Sequence, residues 1–258
     1  MSRTDSIMVC GDWHGNTRWA EKMVEKAAHN HVSKIVQCGD FGIWTHKPDG
    51  IRYLDVINDA CRDLGVKVYF VPGNHENWTH IDWWLQNHPT DKYGMTFVRS
   101  HILTTGRLLQ WTWNDRSFAA VGGAVSIDRQ WRVPEVSWWS GEQARQTDVS
   151  KIQKTWGKSD YLFTHDAPTT CPMPQLKTDP DSQAHRQKMN DVAQVIQPKL
   201  WFHGHYHKWM PHYPFPAFDP YTNVWGLDMD GTTYSWGILN TTTDVFTPGP
   251  GVAHSFVA

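Results

Sequence analysis

The sequence has few cysteines, and they are not spaced to hold a metal cluster. Only 4 of its 258 residues are cysteine, and Cys10, Cys38, Cys61 and Cys171 lie far apart with no CxxC spacing. Cys10 and Cys38 lie inside short apolar runs, which predicts buried free thiols. No long apolar segment resembling a secretory leader precedes them, so we expect the protein to work in a reducing cytoplasm.

Long apolar runs and blocks of like charge are also absent. No stretch approaches the roughly 18 apolar residues that a membrane-spanning helix needs, so we expect no membrane partner. The 24 basic and 26 acidic residues give a formal net charge of -2 without a block of like charges. This pattern does not indicate a nucleic-acid partner, although it leaves room for a local basic groove. At 40% hydrophobic residues, the chain can bury a sizeable core, and its length favours a single domain over residues 1–258.

Five short apolar runs are each followed by a polar turn rich in glycine or histidine. Because such runs are typical of buried strands, we predict strands over residues 7–10, 34–38, 66–71, 161–163 and 200–202. Residues 17–29 and 50–64 have apolar side chains at helical spacing. Strands and helices therefore alternate in the first third of the chain, which predicts an α/β fold with a largely parallel sheet there.

The rest of the chain predicts further strands and helices. We expect consecutive strands over residues 96–98, 108–113 and 118–121 and a helix over 141–155. Ser182 is a candidate N-cap for a helix over 183–196. Residues 224–227 and 234–239 predict a hairpin around Met229-Asp230-Gly231.

The five turns contain the residues with chemical potential. They read GDWHG (11–15), GDFG (39–42), PGNHE (72–76), THD (164–166) and HGHYH (203–207). Ligands collect beyond the carboxyl ends of strands in open α/β sheets, so we expect these turns to converge on one edge. Carboxylate, amide and imidazole donors without thiolate suit Mn, Fe, Zn or Ni better than Ca or an iron–sulfur cluster.

The ordered motifs closely resemble those of the calcineurin-like metallophosphoesterases, and they span residues 11–207. The segment from Gly122 to Asp128, with Arg132 after it, also looks like bacterial members of that superfamily. The resemblance implies a four-layer α/β sandwich of two mixed β-sheets flanked by helices. It implies two divalent metal ions, with Mn the first expectation and Fe, Zn or Ni as alternatives. It also implies hydrolysis of a small phosphate ester by a hydroxide that bridges the ions.

The resemblance assigns roles to individual residues by motif position. One metal would be held by Asp12, His14 and His207, the other by Asn74, His165 and His205, with Asp40 bridging both. His75 would be the catalytic residue that protonates the leaving oxygen or stabilises the charge there, and Asn74 and His75 would contact the substrate. Asp166 and His203 lie in the same turns but receive no metal. Asp166 is as consistent with orienting His165 as with a catalytic role, and His203 at a strand end is typical of a hydrogen-bonded core or supporting histidine.

The chain departs from many members of this family after Asp40. Where they carry an Asp that orients the catalytic histidine, and where protein phosphatases then add a phosphate-binding Arg, this chain has Ile43 and Trp44. Glu76, Asp166 or another group would have to orient His75, and Arg129 or Arg132 could supply the missing charge. The loss of a cation favours phosphodiesters, including small or cyclic nucleotides, over monoester dianions.

Three alternatives stay open at this stage. The enzyme could be a phosphomonoesterase or a DNA nuclease of the same superfamily, although its length and charge leave little space for the extra regions of such nucleases. A metal-binding scaffold without turnover is the third alternative, and the presence of His75 speaks against it.

Overall fold

The computed structural model describes residues 5–173, 179–217 and 221–249. Its helices and strands, in chain order, are β1 (Ser6–Cys10), α1 (Thr17–His29), β2 (Lys34–Gln37), α2 (Pro48–Leu64), β3 (Lys67–Phe70), α3 (Trp78–Asn87), β4 (Thr96–Phe97), β5 (Ile102–Thr104), β6 (Leu108–Trp113), β7 (Arg116–Val121), α4 (Gln146–Thr155), β8 (Tyr161–Thr164), α5 (Pro180–Ile196), β9 (Leu200–His203), β10 (Met210–Phe215), β11 (Thr222–Gly226), β12 (Trp236–Asn240) and β13 (Val245–Pro248). A short 3₁₀ turn covers Arg129–Trp131.

The strands of the described residues form two mixed sheets. One has seven strands in the order β13-β12-β1-β2-β3-β5-β4, and the other has six in the order β10-β11-β9-β8-β7-β6. The neighbours β1, β2, β3 and β5 run parallel in the first sheet. The neighbours β7, β8, β9 and β11 run parallel in the second. The predicted α/β sandwich of two mixed sheets is therefore confirmed.

Alternation along the strands explains why the sheets stack between helices. In β1, Met8 and Cys10 pack towards α1 and α2, while Ile7 and Val9 face the second sheet. Successive strand residues point to opposite faces, so a strand with apolar residues throughout needs a covering layer on both sides. The second sheet has α4 and α5 on its far face, where Leu162 and Trp201 are buried.

Burial supports the prediction for the cysteines. All four are free and buried, including Cys10 and Cys38. No helix in the described part of the chain has both the length and the hydropathy needed to cross a membrane.

The predicted C-terminal hairpin is wrong. β11 pairs with β9 and β10 in the six-stranded sheet, whereas β12 pairs with β1 and β13 in the seven-stranded sheet. Residues 227–235 therefore form a crossover loop between the sheets. Its ends are fixed by backbone hydrogen bonds from Leu227 N to His203 O (2.8 Å) and from Gly11 N to Ser235 O (2.8 Å).

Two helix starts also differ from the prediction. Helix α5 begins at Pro180, and the N-cap is Asp179, whose carboxylate accepts a hydrogen bond from Ser182 N at 2.8 Å. Proline is favoured in the first turn because it has no N–H to satisfy there. Ser182 is thus inside the helix and is not its cap.

Helix α4 begins at Gln146, five residues later than the predicted residue 141. Arg107 donates to the carbonyl of Glu142 at 3.2 Å and also contacts the carbonyl of Gly141. Because these carbonyls bind the partly buried guanidinium of Arg107, the segment before α4 keeps an irregular backbone. Helix α3 was not predicted, and its buried face carries Trp78, Ile81 and Trp84.

Candidate metal centre

The five predicted turns all leave the carboxyl ends of parallel strands at one edge of the sandwich. Asp12 and His14 follow β1, Asp40 follows β2, and Asn74 and His75 follow β3. From the second sheet, His165 follows β8, and His205 and His207 follow β9. Both sheets therefore contribute side chains to the same place.

A first group of donors consists of Asp12, His14, Asp40 and His207. One ligand atom from each lies within 4.8 Å of the others. His207 Nε2 lies 3.1 Å from Asp12 Oδ2, and His14 Nε2 lies 3.7 Å from Asp40 Oδ2. Both carboxylates are buried. The mixed nitrogen and oxygen donors and the close spacing fit a transition-metal ion.

A second group lies on the other side of Asp40. His165 Nε2 is 2.9 Å from Asn74 Oδ1 and 3.3 Å from Asp40 Oδ1, and the ring of His205 packs on that of His165 with centroids 4.9 Å apart. His165 Nδ1 lies 2.8 Å from the carbonyl of Cys38, to which it can only donate. In neutral His165 the Nε2 lone pair then faces two oxygen acceptors, an arrangement that needs either a proton on Nε2 or a metal ion between the three atoms.

Asp40 connects the two groups. Its Oδ1 accepts a hydrogen bond from His75 N at 2.9 Å, while its Oδ2 is buried and has no hydrogen-bond donor among the described residues. Burial opposes ionisation, but His165, His75 and His14 outweigh it and hold the pKa of Asp40 well below its usual range. An ionised, buried carboxylate oxygen without a donor is costly, and a metal ion would remove that cost.

The pKa values of the buried His165 and the partly buried His205 both respond to the charges around them. Burial would lower the pKa of His165, yet Asp40 and Asp12 raise it to about 10. Burial lowers the pKa of His205 to about 4, and a positive His165 adds to that effect. The carboxylates therefore stabilise positive charge at His165, where either a proton or a metal ion can supply it.

The backbone at these turns is strained. His14, Asp40, His205 and His207 have φ values of 46°, 52°, 72° and 48°, in the left-handed region that side chains other than glycine rarely occupy. Such conformations cost roughly 1–3 kcal/mol each and cluster at functional sites. Position 204 requires glycine for a different reason, because a Cβ there would collide with Asp12 Oδ1.

The side chain of His75 contacts Arg132. Each terminal nitrogen of the Arg132 guanidinium lies 2.8 Å from one ring nitrogen of His75. A neutral imidazole has one acceptor nitrogen, so only one of these contacts can be a conventional hydrogen bond. Burial lowers the pKa of His75 against the pull of Asp40, and Arg132 adds to the lowering, which favours the neutral ring.

Asp128 in turn fixes Arg132. Its carboxylate oxygens lie 2.6 Å and 2.7 Å from Nε and Nη2 of Arg132, a bidentate pair. The other candidate partners of His75 have different contacts. Glu76 accepts from Gly42 N at 3.1 Å and from Gly73 N, and burial raises its pKa to about 8. Asp166 binds neither His75 nor His165 in the hydrogen bonds of the described residues.

Ile43 and Trp44, at the positions where the resemblance leads one to expect Asp and Arg, have structural contacts. Ile43 is fully buried, and its carbonyl accepts from Asn77 N at 3.0 Å. Trp44 Nε1 donates to the carbonyl of His75 at 2.9 Å. Trp44 thus holds the backbone of the His75 turn, while Arg132 contacts the ring.

A cavity of about 350 Å³ opens in front of this site. Its wall is formed by Asn74, His75, Ile127, Asp128, Arg132, His205, Tyr206 and His207. Of the two candidate arginines, Arg132 lines this cavity. Arg129 instead lies over the ring of Trp138, 4.1 Å from its centroid, and lines a neighbouring cavity of about 510 Å³.

Several supporting residues were not identified from the sequence. Asn74 Nδ2 donates to Ser126 Oγ at 3.0 Å, and Ser126 Oγ donates to Glu142 at 2.6 Å. These two hydrogen bonds fix the Asn74 amide so that its oxygen faces His165. No motif marks Glu142, and only the fold brings it to Asn74. Asp230, on the crossover loop, accepts from His14 Nδ1 at 2.9 Å.

The two expected supporting residues have their own partners. Asp166 accepts from Tyr206 Oη at 2.6 Å and lies 2.7 Å from His185 Nδ1. Since Tyr206 lies between His205 and His207, Asp166 holds the turn that carries them. His203 is buried, and its Nε2 lies 2.9 Å from Tyr213 Oη.

Comparison with known families identifies the class of protein. A sequence model of the calcineurin-like phosphoesterase family matches residues 6–209. The match covers most of the chain, and the chain belongs to this family of phosphoester hydrolases. A comparison with curated protein sequences gives no match.

Solved structures with the same fold share little sequence with the chain. A dimetal phosphatase from Danio rerio is 14% identical, with a TM-score of 0.60 over 90% of this chain and 91% of that one. A protein from Thermus thermophilus is 13% identical, with a TM-score of 0.59 over 95% and 98%. At such identities the similarity shows the fold alone.

Proposed function

We propose that this chain is a dinuclear metal-dependent phosphoesterase that prefers phosphodiesters. The observation that carries the proposal is the position of Asp40, whose carboxylate lies between two groups of metal donors and has one buried oxygen that no described residue supplies with a hydrogen bond. A single ion would use only one of these groups. Two ions sharing Asp40 would use both.

In the proposed assignment, Asp12, His14 and His207 would hold one ion, Asn74, His165 and His205 would hold the other, and Asp40 would be shared by both. When bound, such ions supply a hydroxide nucleophile near neutral pH and offset the charge of the phosphoryl group. We propose Mn as the first metal to test. The oxygen and imidazole donors also suit Fe, Zn and Ni, which are the alternatives.

The chain's own residues contribute binding and charge stabilisation. His75 and Arg132 line the same cavity as Asn74. In this proposal Arg132 donates to a phosphoryl oxygen, and His75 donates to the leaving oxygen once one of its ring nitrogens exchanges its contact with Arg132 for the substrate. Asp128 keeps Arg132 in place through the bidentate pair.

The preference for diesters is supported by the charges of the pocket. Trp44 stands where related protein phosphatases carry an arginine, and Arg132, which lines the cavity, is already paired with Asp128. The pair has no net charge. A diester with one negative charge depends less on an additional cation than a monoester dianion does.

The test measures metal content first and turnover second. Purified protein loaded with Mn²⁺ is expected to bind two ions per chain and to hydrolyse bis-p-nitrophenyl phosphate faster than p-nitrophenyl phosphate. Cleavage of plasmid DNA with little action on either small ester would favour a nuclease. Two bound ions without turnover on any substrate would favour a binding scaffold, and the absence of bound metal would refute the proposal.

A further inference from the structure

The crossover loop between the two sheets places a carboxylate beside the metal centre. Asp230 lies in this loop, outside the residues 6–209 that match the family. Its Oδ1 is 2.9 Å from His14 Nδ1, and its Oδ2 accepts from Asn16 Nδ2 at 2.7 Å. Both carboxylate oxygens therefore contact the turn that carries His14.

The contact determines which nitrogen of His14 is available. Asp230 is an acceptor when ionised, so His14 Nδ1 carries the hydrogen and Nε2 keeps its lone pair. Nε2 is the atom that faces the site, 3.7 Å from Asp40 Oδ2 and 3.9 Å from Asp12 Oδ2. The hydrogen bond thus selects the tautomer and the ring orientation that a metal ligand needs.

Asp230 is itself held in place from two directions. Asn16 is the N-cap of α1, and its side-chain oxygen accepts from Trp19 N at 3.2 Å, which leaves its amide nitrogen to donate to Asp230. The ends of the loop are hydrogen-bonded to Gly11 and His203, which belong to the motifs that carry Asp12 and His205. The side chain of Asp230 is only 18% exposed.

We propose that Asp230 is a positioning residue that fixes His14 as a metal ligand. The inference depends on the proposed function, in which His14 binds one of the two ions. Carboxylates that accept from the outer nitrogen of a metal-bound histidine raise its basicity and orient it, and their removal typically weakens metal binding about 10- to 100-fold.

The experiment compares Asp230→Ala with wild type in two measurements. In metal-free protein, nitrogen NMR of the histidine side chains is expected to show His14 protonated at Nδ1 in wild type and as a mixture of tautomers in the variant. Titration with Mn²⁺ is expected to show about 10- to 100-fold weaker binding at one site and unchanged binding at the other. Asp228→Asn, which removes a charge from the same loop, serves as the control and should bind both ions like wild type.

The outcomes separate the two proposals. Wild type that binds two ions, together with an Asp230→Ala variant of equal affinity and unchanged tautomer, refutes the role of Asp230 and leaves the proposed function standing. Wild type that binds no divalent ion refutes both. If Asp230→Ala does not fold, Asp230→Asn keeps the volume of the side chain and is expected to weaken the same single site.

Discussion

The charge pair in front of His75 makes a prediction about substrate choice. Asp128→Asn removes the negative charge that neutralises Arg132, while the amide can still accept a hydrogen bond from the guanidinium. Arg132 outweighs partial burial and lowers the pKa of Asp128, so the carboxylate is ionised at neutral pH and its charge is lost in the variant. The uncompensated cation should favour the substrate with more negative charge.

The size of the effect follows from the geometry. The bidentate contact of 2.6 Å and 2.7 Å, together with the width of the guanidinium, places the Asp128 charge across Arg132 from the substrate phosphate. At a separation of about 8 Å and an effective dielectric constant of about 20–80, the Coulomb energy between the Asp128 charge and the second charge of a monoester dianion is about 0.5–2 kcal/mol. That range corresponds to roughly a 2- to 30-fold change in relative rate. The Asp128 side chain is 48% exposed, which favours the lower part of the range.

The assay compares kcat/KM for p-nitrophenyl phosphate and bis-p-nitrophenyl phosphate, which share a leaving group. The ratio of monoester to diester activity should rise in Asp128→Asn, because the uncompensated charge of Arg132 favours the dianion. Any general loss of activity cancels in this ratio. Glu135→Gln, a charge removal elsewhere on the same surface segment, is the control and should leave the ratio unchanged. A ratio in Asp128→Asn that stays constant or moves towards the diester refutes the electrostatic reasoning.

The remaining predictions concern the site and one helix start. His75→Ala should lose most turnover while metal content, measured by elemental analysis, stays near two ions per chain; concurrent loss of metal would identify His75 as a ligand. Asp40→Ala should lose both ions together, and retention of one ion at wild-type affinity would contradict the bridging role. Asp179→Ala should lower the free energy of unfolding by about 1 kcal/mol in denaturant titrations, because it removes the N-cap of α5. Asp179→Asn keeps the capping oxygen and should be close to wild type; an equal loss in both variants would show that the cap is not the cause.

Local sequence signals were sufficient to predict the edge of the sheets at which the site lies. The strands before Asp12, Asp40 and Asn74 are short, apolar and separated by helices, and parallel strands bring their carboxyl ends together. The predicted donors from β8 and β9 lie at the same edge. Their assignment to two particular ions remains a prediction.

Other features depend on contacts between distant parts of the chain. Residues 224–227 and 234–239 have the local signals of a hairpin, but β12 instead pairs with β1, near the start of the chain. The same crossover brings Asp230 to His14, a contact that no short motif encodes. The Asp179-Pro180 pair is a local signal of a helix start that the choice of Ser182 overlooked.

The partner of the His75 ring also lay beyond local prediction. The absence of an acidic residue at position 43 was evident from the sequence, but Arg132 reaches the ring only because the loop after β7 forms part of the cavity wall. Glu142 and Ser126 lie in the same loop after β7, and Glu142 acts on Asn74 through Ser126. Contacts of this kind require the arrangement of several loops in three dimensions.

The donors for the proposed ions come from both sheets of the sandwich. Asp12 and Asp40 follow strands of one sheet, and His165 and His205 follow strands of the other. Any bound cation would therefore tie together two layers whose shared interior is mainly apolar packing. Separation of the two sheets would break metal–ligand bonds at the same time as it exposes the core. Loss of the ion and separation of the sheets would therefore occur as a single cooperative event.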